Sequence, residues 1–326
     1  MPTSAESMDL TDRLLYLRSI AVLASLPAAD LVVIARTLRE RTYADGEAMV
    51  RKDEAPGGLL LVASGRVRLS HLTREVGTVE APCSVGFHAL LARSMDGFEA
   101  AAIGETRVLS LDADAVLELI EDHIPILFLS LKSVAQNLLG ERKANPKDFN
   151  VGPPGAGVQV PARPMDIVER IFYLRTMNAF KRASVNAVAA MCEHLGEVRY
   201  APGETIWKIG DPVELNLLMV SGSIVCTDPQ GRTFRYGAGG AVGGLEAFAG
   251  ARRWYDAVAD APIVALRTRQ DDLFDMFEDN HELAFDFLAM LAADLLDDWV
   301  KKVDAGQVEA EMLKDLRVFG AGLPLV

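Results

Sequence analysis

Tyr200-Ala201-Pro202-Gly203-Glu204-Thr205-Ile206, followed by Gly210-Asp211 and then Leu218-Met219-Val220-Ser221-Gly222-Ser223-Ile224, is the stretch on which the fold turns. Short apolar runs alternate with glycine-bearing turns, a pattern of close-spaced strands rather than of helix. An earlier segment carries the same pattern. Tyr43-Ala44-Asp45-Gly46-Glu47-Ala48-Met49 precedes Leu61-Val62-Ala63-Ser64-Gly65-Arg66-Val67, and Tyr43 lies 157 residues before Tyr200. The same offset joins Tyr16-Leu17-Arg18 to Tyr173-Leu174-Arg175, Val85-Gly86 to Val242-Gly243, Leu109 to Leu266, Asp114 to Asp271 and Phe128 to Phe285. One constant offset means an ungapped duplication of a whole domain, since a solenoid period is far shorter.

Each copy opens and closes with helical periodicity. In the first, Leu14 to Leu26 and then Leu31, Ile34, Ala35 and Leu38 recur at helical spacing after Pro27. In the second, Ile167, Ile171 and Leu174 precede Val185, Val188, Ala189 and Cys192. The middles read as short strands, Leu59 to Val62 and Arg66 to Leu69, then Leu215 to Val220 and Ser223 to Cys226. Asp228-Pro229-Gln230-Gly231 marks a hairpin turn. The closing helices run from Ala113 to Glu121 and Leu127 to Leu138, and from Asp271 to Asp279 and Leu283 to Leu295. The expected class is α+β: two tandem β-rolls, jelly-roll-like double-stranded β-helices, each flanked by N- and C-terminal helices. Five of the 15 prolines fall between Pro146 and Pro164 among Gly152, Gly155 and Gly157, which excludes a helix or central strand there. The expected organisation is domain A over 1–143, a Pro/Gly linker over 144–164, domain B over 165–303 and a helical tail over 304–326.

Composition narrows the function. The chain has 326 residues, 33 Lys+Arg against 46 Asp+Glu and a net charge of −13. That sign opposes nucleic acid. No apolar run approaches the roughly 20 residues of a membrane span, so no span is expected. Cys83, Cys192 and Cys226 form no CxxC pair, and the first ten residues lack a secretory pattern, so the expected compartment is the cytoplasm. No G-x-S-x-G, P-loop or kinase signature occurs, so no enzyme is expected. His71, His88, His123, His194 and His281 are dispersed without an His-x-His pair, and no metal is expected. The acids of Asp271, Asp272, Asp275, Glu278 and Asp279 read as a solvated helix face.

The helix, β-roll, helix order with Gly203-Glu204-Thr205-Ile206 and Ser221-Gly222-Ser223 resembles the cyclic nucleotide-binding domain family, in its bacterial type, over nearly all of both halves. The resemblance implies a phosphate-binding cassette: a Gly-Glu pair entering a short helix, with an arginine about nine residues after the Glu. Helix amides and the guanidinium hold the cyclic phosphate and the Glu holds the ribose hydroxyl. In the second copy the cassette reads Val242-Gly243-Gly244-Leu245-Glu246, ending at Arg252-Arg253-Trp254-Tyr255. Gly243 and Arg253 match. Gly244 replaces the glutamate, and Glu246, two residues on, is expected to be pointed elsewhere by the helix. Trp254 and Tyr255 stand where small residues are preferred, and either stack on a base or block the pocket. The candidate ligand site is therefore Gly243, Gly244, Leu245, Glu246, Arg252, Arg253 and Trp254, with cAMP or cGMP as ligand. In the first copy Gly86, Phe87 and His88 begin the cassette, with Phe87 at the glutamate position and Asp96 at the arginine position. A carboxylate facing a phosphate is repulsive, so this copy is expected not to bind. Lys181-Arg182-Ala183-Ser184 looks like a kinase site but lies inside the second domain. The roughly two dozen residues after Lys302 are short for the helix-turn-helix of related transcription regulators, so none is expected there.

Two functions follow. One is a regulatory sensor in which domain B takes a cyclic nucleotide and shifts the C-terminal helices against a protein partner. The other is a ligand-free scaffold acting through a protein partner or self-association. The helices Ile126 to Leu139 and Leu283 to Val303 are candidates for pairing with a second subunit, and Trp299 for packing.

Overall fold

The computed structural model describes residues 7–306 apart from 25, 53, 55–56, 95–96, 149–161, 178–179 and 181–182. Asp96, Lys181, Arg182, most of the expected linker and the tail from 307 lie outside the described residues. The first copy comprises α1 (Leu10–Ser19), α2 (Ala21–Ala24), α3 (Ala28–Thr37), β1 (Arg39–Tyr43), β2 (Ala48–Val50), β3 (Gly58–His71), β4 (Arg74–Glu80), β5 (Cys83–Val85), α4 (Phe87–Ala92), β6 (Phe98–Asp112), α5 (Ala113–Asp122) and α6 (Ile124–Ala144). The second comprises α7 (Ile167–Thr176), α8 (Val185–Glu193), β7 (Gly196–Tyr200), β8 (Thr205–Trp207), β9 (Leu215–Ser221), β10 (Ile224–Thr227), β11 (Thr233–Tyr236), β12 (Ala241–Val242), α9 (Gly244–Ala249), β13 (Asp256–Ala259), β14 (Ile263–Arg269), α10 (Gln270–Asp279) and α11 (His281–Asp304). The fold is α+β, two antiparallel β-rolls with flanking helices.

The rolls differ in strand continuity. The sequence predicts two strands either side of Gly65, whereas β3 runs unbroken through it and pairs with β6 along its length. The glycine instead marks register shifts at Val62/Ser64 and Ser64/Arg66, so the expected break is a bulge at φ +101. In the second copy the break is complete. One sheet orders β11-β10-β13-β8 and the other β12-β9-β14-β7. Gly222, equivalent to Gly65, has φ +83, and a Cβ there would lie 2.3 Å from Pro262 O. Gly222→Ala is expected to cost about 2 kcal/mol by combining left-handed strain with that clash. A thermal melt shows it as a lowered midpoint, and an unchanged midpoint would refute the close approach.

The duplication extends to the hydrogen bonds that tie the entry helices to each roll. Arg13 Nη1 donates to Leu38 O at 2.7 Å and Arg170 Nη1 to Leu195 O at 2.6 Å, each satisfying a carbonyl beyond a helix end. Met8 N donates to Glu40 and Met165 N to Glu197. Tyr16 donates to Val62 O at 3.0 Å, and Tyr173 donates to Met219 O. Burial pushes the Tyr173 hydroxyl up to about 12. α7 begins with a capping box in which Asp166 accepts from Glu169 N and Glu169 accepts from Asp166 N, both at 2.9 Å.

Two compact units emerge: 1–133 with 291–326, and 134–290. The long helices α6 and α11 thus each contribute their first part to one unit and their last part to the other. In the second unit, Gln136 on α6 donates to Ala249 O at 3.1 Å, and Arg232 donates to the carbonyls of Lys143 and Ala144 that close α6. Asp228, fully buried, accepts from Gln230 N, Arg232 N and Arg232 Nε and so holds the hairpin turn that the sequence marked. In the first unit, the last part of α11 brings Leu296 and Trp299 against the roll. Asp271, Asp275, Glu278 and Asp279 are exposed on α10, while its Leu273, Met276 and Phe277 are buried. The three cysteines are buried, and none forms a disulfide among the described residues. No helix among the described residues is long and apolar enough to cross a membrane.

Candidate functional site

In the second roll, Gly243 opens the cassette at φ +87 and α9 follows for six residues. That left-handed start sets the phase of α9 and turns Glu246 inward, where it is 2% exposed. The expectation that the helix points Glu246 elsewhere is therefore corrected. Arg253 is equally buried, at 2%. Its Nη1 donates to Gly243 O at 3.2 Å and its Nη2 to Leu215 O. The guanidinium lies 3.9 Å over the Trp207 ring, and Nη1 stands 4.0 Å from Glu246 Oε2. A Cβ on Gly243 would lie 2.2 Å from Nη1, so this glycine admits the arginine as well as the turn. Burial raises the Glu246 carboxyl above its ordinary range, with Arg253 the main opposing influence. Burial lowers the Arg253 guanidinium, with Glu246 opposing in turn.

Aromatic rings occupy the space around this pair. Tyr255 is fully buried and Trp254 is 9% exposed. Trp254 stacks on Phe234 at 5.2 Å and 11°, and Tyr255 meets Phe234 edge-on at 5.2 Å. Trp207 and Tyr236 complete the cluster against Tyr255. The two alternatives for Trp254 and Tyr255 thus resolve toward filling the roll. Arg252 is exposed and donates to Gly210 O at 2.8 Å, so it belongs to the rim. Gly244 and Leu245 are half-buried on the outer start of α9, and a Cβ on Gly244 would meet only ordinary contact, 3.9 Å from Phe248. The structure therefore brings Gly243, Glu246 and Arg253 together, places Trp254 in the aromatic cluster with Phe234 and Tyr255, and leaves Arg252 aside. Trp207, Phe234, Tyr236 and the Leu215 carbonyl are partners that the sequence reading missed.

The first roll is built alike but filled differently. Gly86 has φ +95 and begins α4. Phe87 and His88 are buried, and His88 meets Trp299 edge-on at 5.2 Å. Burial lowers the His88 imidazole to about 4. A cavity of about 60 Å³ lies between Val85, Phe87, His88, Phe98, Leu296 and Trp299. No Arg or Lys among the described residues lines it. The offset of 157 explains the difference. Val50, which lines this cavity, stands where the second copy has Trp207, and Ala89 stands where it has Glu246. Gly77 and Gly97 stand where it has Phe234 and Trp254. Of these, Val50 and Ala89 line the cavity, and their smaller side chains leave space there that the second roll gives to Trp207 and Glu246. Among the described residues no group of three or more His, Cys, Asp or Glu could hold a metal ion.

A family model described as the cyclic nucleotide-binding domain matches the chain twice, over residues 40–123 and 197–280. No curated protein matches the chain in sequence. Among solved structures, a regulatory domain of Toxoplasma gondii protein kinase A with cAMP shares 15% identity, covering 89% of this chain and 99% of that one at a TM-score of 0.33. The regulatory subunit of a cAMP-independent protein kinase A from Trypanosoma cruzi, bound to guanosine, shares 16%, covering 94% and 97% at 0.34. The N-terminal domain of a Streptomyces coelicolor transcriptional regulator shares 21%, covering 43% and 96% at 0.33.

Proposed function

The chain belongs to the cyclic nucleotide-binding domain family, and on that premise we propose that it is a non-enzymatic regulatory protein whose cassettes are closed from within and which acts through protein contacts. The observation that carries this reading is the state of Arg253. The one side chain matching the family's phosphate ligand donates Nη1 to Gly243 O and Nη2 to Leu215 O, sets its face on Trp207 and stands against the Glu246 carboxylate, with its Nε buried and unbonded. A cyclic phosphate would have to displace a buried carboxylate and rebuild those contacts, at the cost of leaving buried polar groups unpaired. Gly244 offers no carboxylate for a ribose. In the first roll the cavity has no cation to meet an anion, and Phe87 occupies the ribose position. The sensor reading, with cAMP or cGMP in domain B, rests on the retention of Arg253 alone. Buried cysteines outside any disulfide support a reducing, cytoplasmic setting.

Calorimetry with cAMP and cGMP tests the choice. The closed reading expects no binding heat at millimolar nucleotide. Micromolar binding that disappears in Arg253→Ala would overturn it in favour of the sensor.

A further inference from the structure

The first roll keeps a cavity where the second is filled, and the residues around it differ between the copies in two ways at once. Side-chain volume is withdrawn: Val50 and Ala89, both lining the cavity, stand 157 residues before Trp207 and Glu246. Hydrogen-bonding groups are added: Ser84 and His88, which also line it, stand where the second copy has Ala241 and Leu245. A copy that had only lost volume would be left with apolar walls. This one places two polar side chains at the space it opens.

Those groups are buried without partners. Ser84 is 7% exposed and His88 is 8% exposed, and neither side chain makes a hydrogen bond among the described residues. Trp299, a further wall residue, has a buried Nε1 that makes none either. Buried polar groups left unpaired are costly, so three of them around one cavity call for a molecule that satisfies them. A hydroxyl or amide group, which both donates and accepts, matches a serine hydroxyl, an imidazole and an indole N–H. Burial lowers the His88 imidazole to about 4, so it is uncharged at neutral pH. Besides His88, Glu99 is the only acidic or basic residue among the described lining residues, and an acid there disfavours an anion. Leu69, Val76, Phe98 and Leu296 supply apolar wall. A void of roughly 150 Å³ takes benzene, so one of about 60 Å³ takes on the order of three non-hydrogen atoms.

We propose that the cavity of the first roll is a binding site for a small uncharged molecule with a short apolar body and one hydroxyl or amide group, of the class of short-chain alcohols and amides, held by Ser84, His88 and Trp299. The site goes beyond the nucleotide reading above, because such a molecule brings no phosphate. The nucleotide calorimetry and this site therefore stand or fall separately.

The test is a proton NMR titration of the full chain with ethanol and acetamide, read at the His88 imidazole and the Trp299 indole. Acetate and methylammonium are the charged controls of similar size. Both neutral probes are expected to shift these signals saturably with a Kd of roughly 1 mM, close to the limit for so few non-hydrogen atoms. The charged controls are expected to bind at least about tenfold more weakly, since the cavity desolvates them without a counter-charge. Ser84→Ala and His88→Leu each install the kind of apolar side chain that the second copy carries at that position. Each is expected to weaken binding about three- to tenfold, with the Trp299 signal still reporting. Shifts that grow linearly without saturating mean a water-filled packing void only and overturn the proposal. So does acetate or methylammonium binding as well as the neutral probes, or a folded Ser84→Ala that binds them as the parent does.

Discussion

Arg253→Ala is expected to lower the stability of the second roll by about 3–5 kcal/mol at pH 7, the range for removing one partner of a buried pair. For a unit of this size the melting midpoint falls by on the order of 10 °C. Three losses act together. Glu246, at 2% exposure, loses the main influence that offsets the burial of its carboxyl. The carbonyls of Gly243 and Leu215 lose their donors. The Trp207 ring loses the guanidinium at 3.9 Å. The pH dependence carries the signature. Glu246 has a folded value raised above its unfolded one, so its contribution is fully present below the ordinary carboxylate range and is lost as pH rises through the folded value. Without Arg253 that folded value rises further, and the variant's deficit against the parent should shrink as pH falls toward the ordinary carboxylate range. Replacing both partners, as Glu246→Leu with Arg253→Met, should recover much of the loss, because matched apolar groups need no counter-charge. A variant that melts with the parent at pH 7 would show that the pair is not buried as described.

The fold was legible because the duplication carries its own check. Tyr16 and Tyr173, and Arg13 and Arg170, stand at one offset and make equivalent contacts, and Gly65 and Gly222 share a positive φ although one is a bulge and the other a strand break. Local rules sufficed there: glycine-bearing turns, helical spacing from Ile167, a hairpin at Asp228. The site was legible as positions but not as directions. Which way Glu246 points depends on the helix phase that Gly243 sets, a backbone fact that residue identity does not contain. Trp207 went unread for a related reason. It sits on β8, distant in sequence from the cassette, and only the pairing of β8 with β13 brings it beneath Arg253. Comparing the copies position by position would have found it, since Gly97 against Trp254, Gly77 against Phe234 and Val50 against Trp207 are all large increases in side-chain volume. The contribution of α11 to the first unit was out of reach, because amphipathic spacing says that a face is buried but not against what.

Trp299→Ala is expected to cost the first roll about 3–5 kcal/mol, the range for truncating a buried aromatic. Its ring is 3% exposed, meets His88 edge-on and walls a cavity of about 60 Å³, so removal enlarges an existing void instead of closing one. Its Nε1 is buried and makes no hydrogen bond, so the loss is one of packing. Trp299→Phe keeps the ring contact and should cost markedly less. His88 supplies an independent reading. Burial holds its folded value at about 4, below the unfolded 6.5. A depressed histidine contributes stability that is full above the unfolded value and is lost as pH falls through it. The parent should therefore lose about 2 kcal/mol between pH 8 and pH 5 from this group alone. Opening the wall to water by Trp299→Ala lets the imidazole titrate nearer its ordinary value, so the variant should lose less over the same interval. Histidine proton resonances report the shift directly. If the His88 value stays near 4 in Trp299→Ala, then Trp299 does not shield the imidazole, and the burial of the first cassette is owed to Phe87 and Phe98 instead.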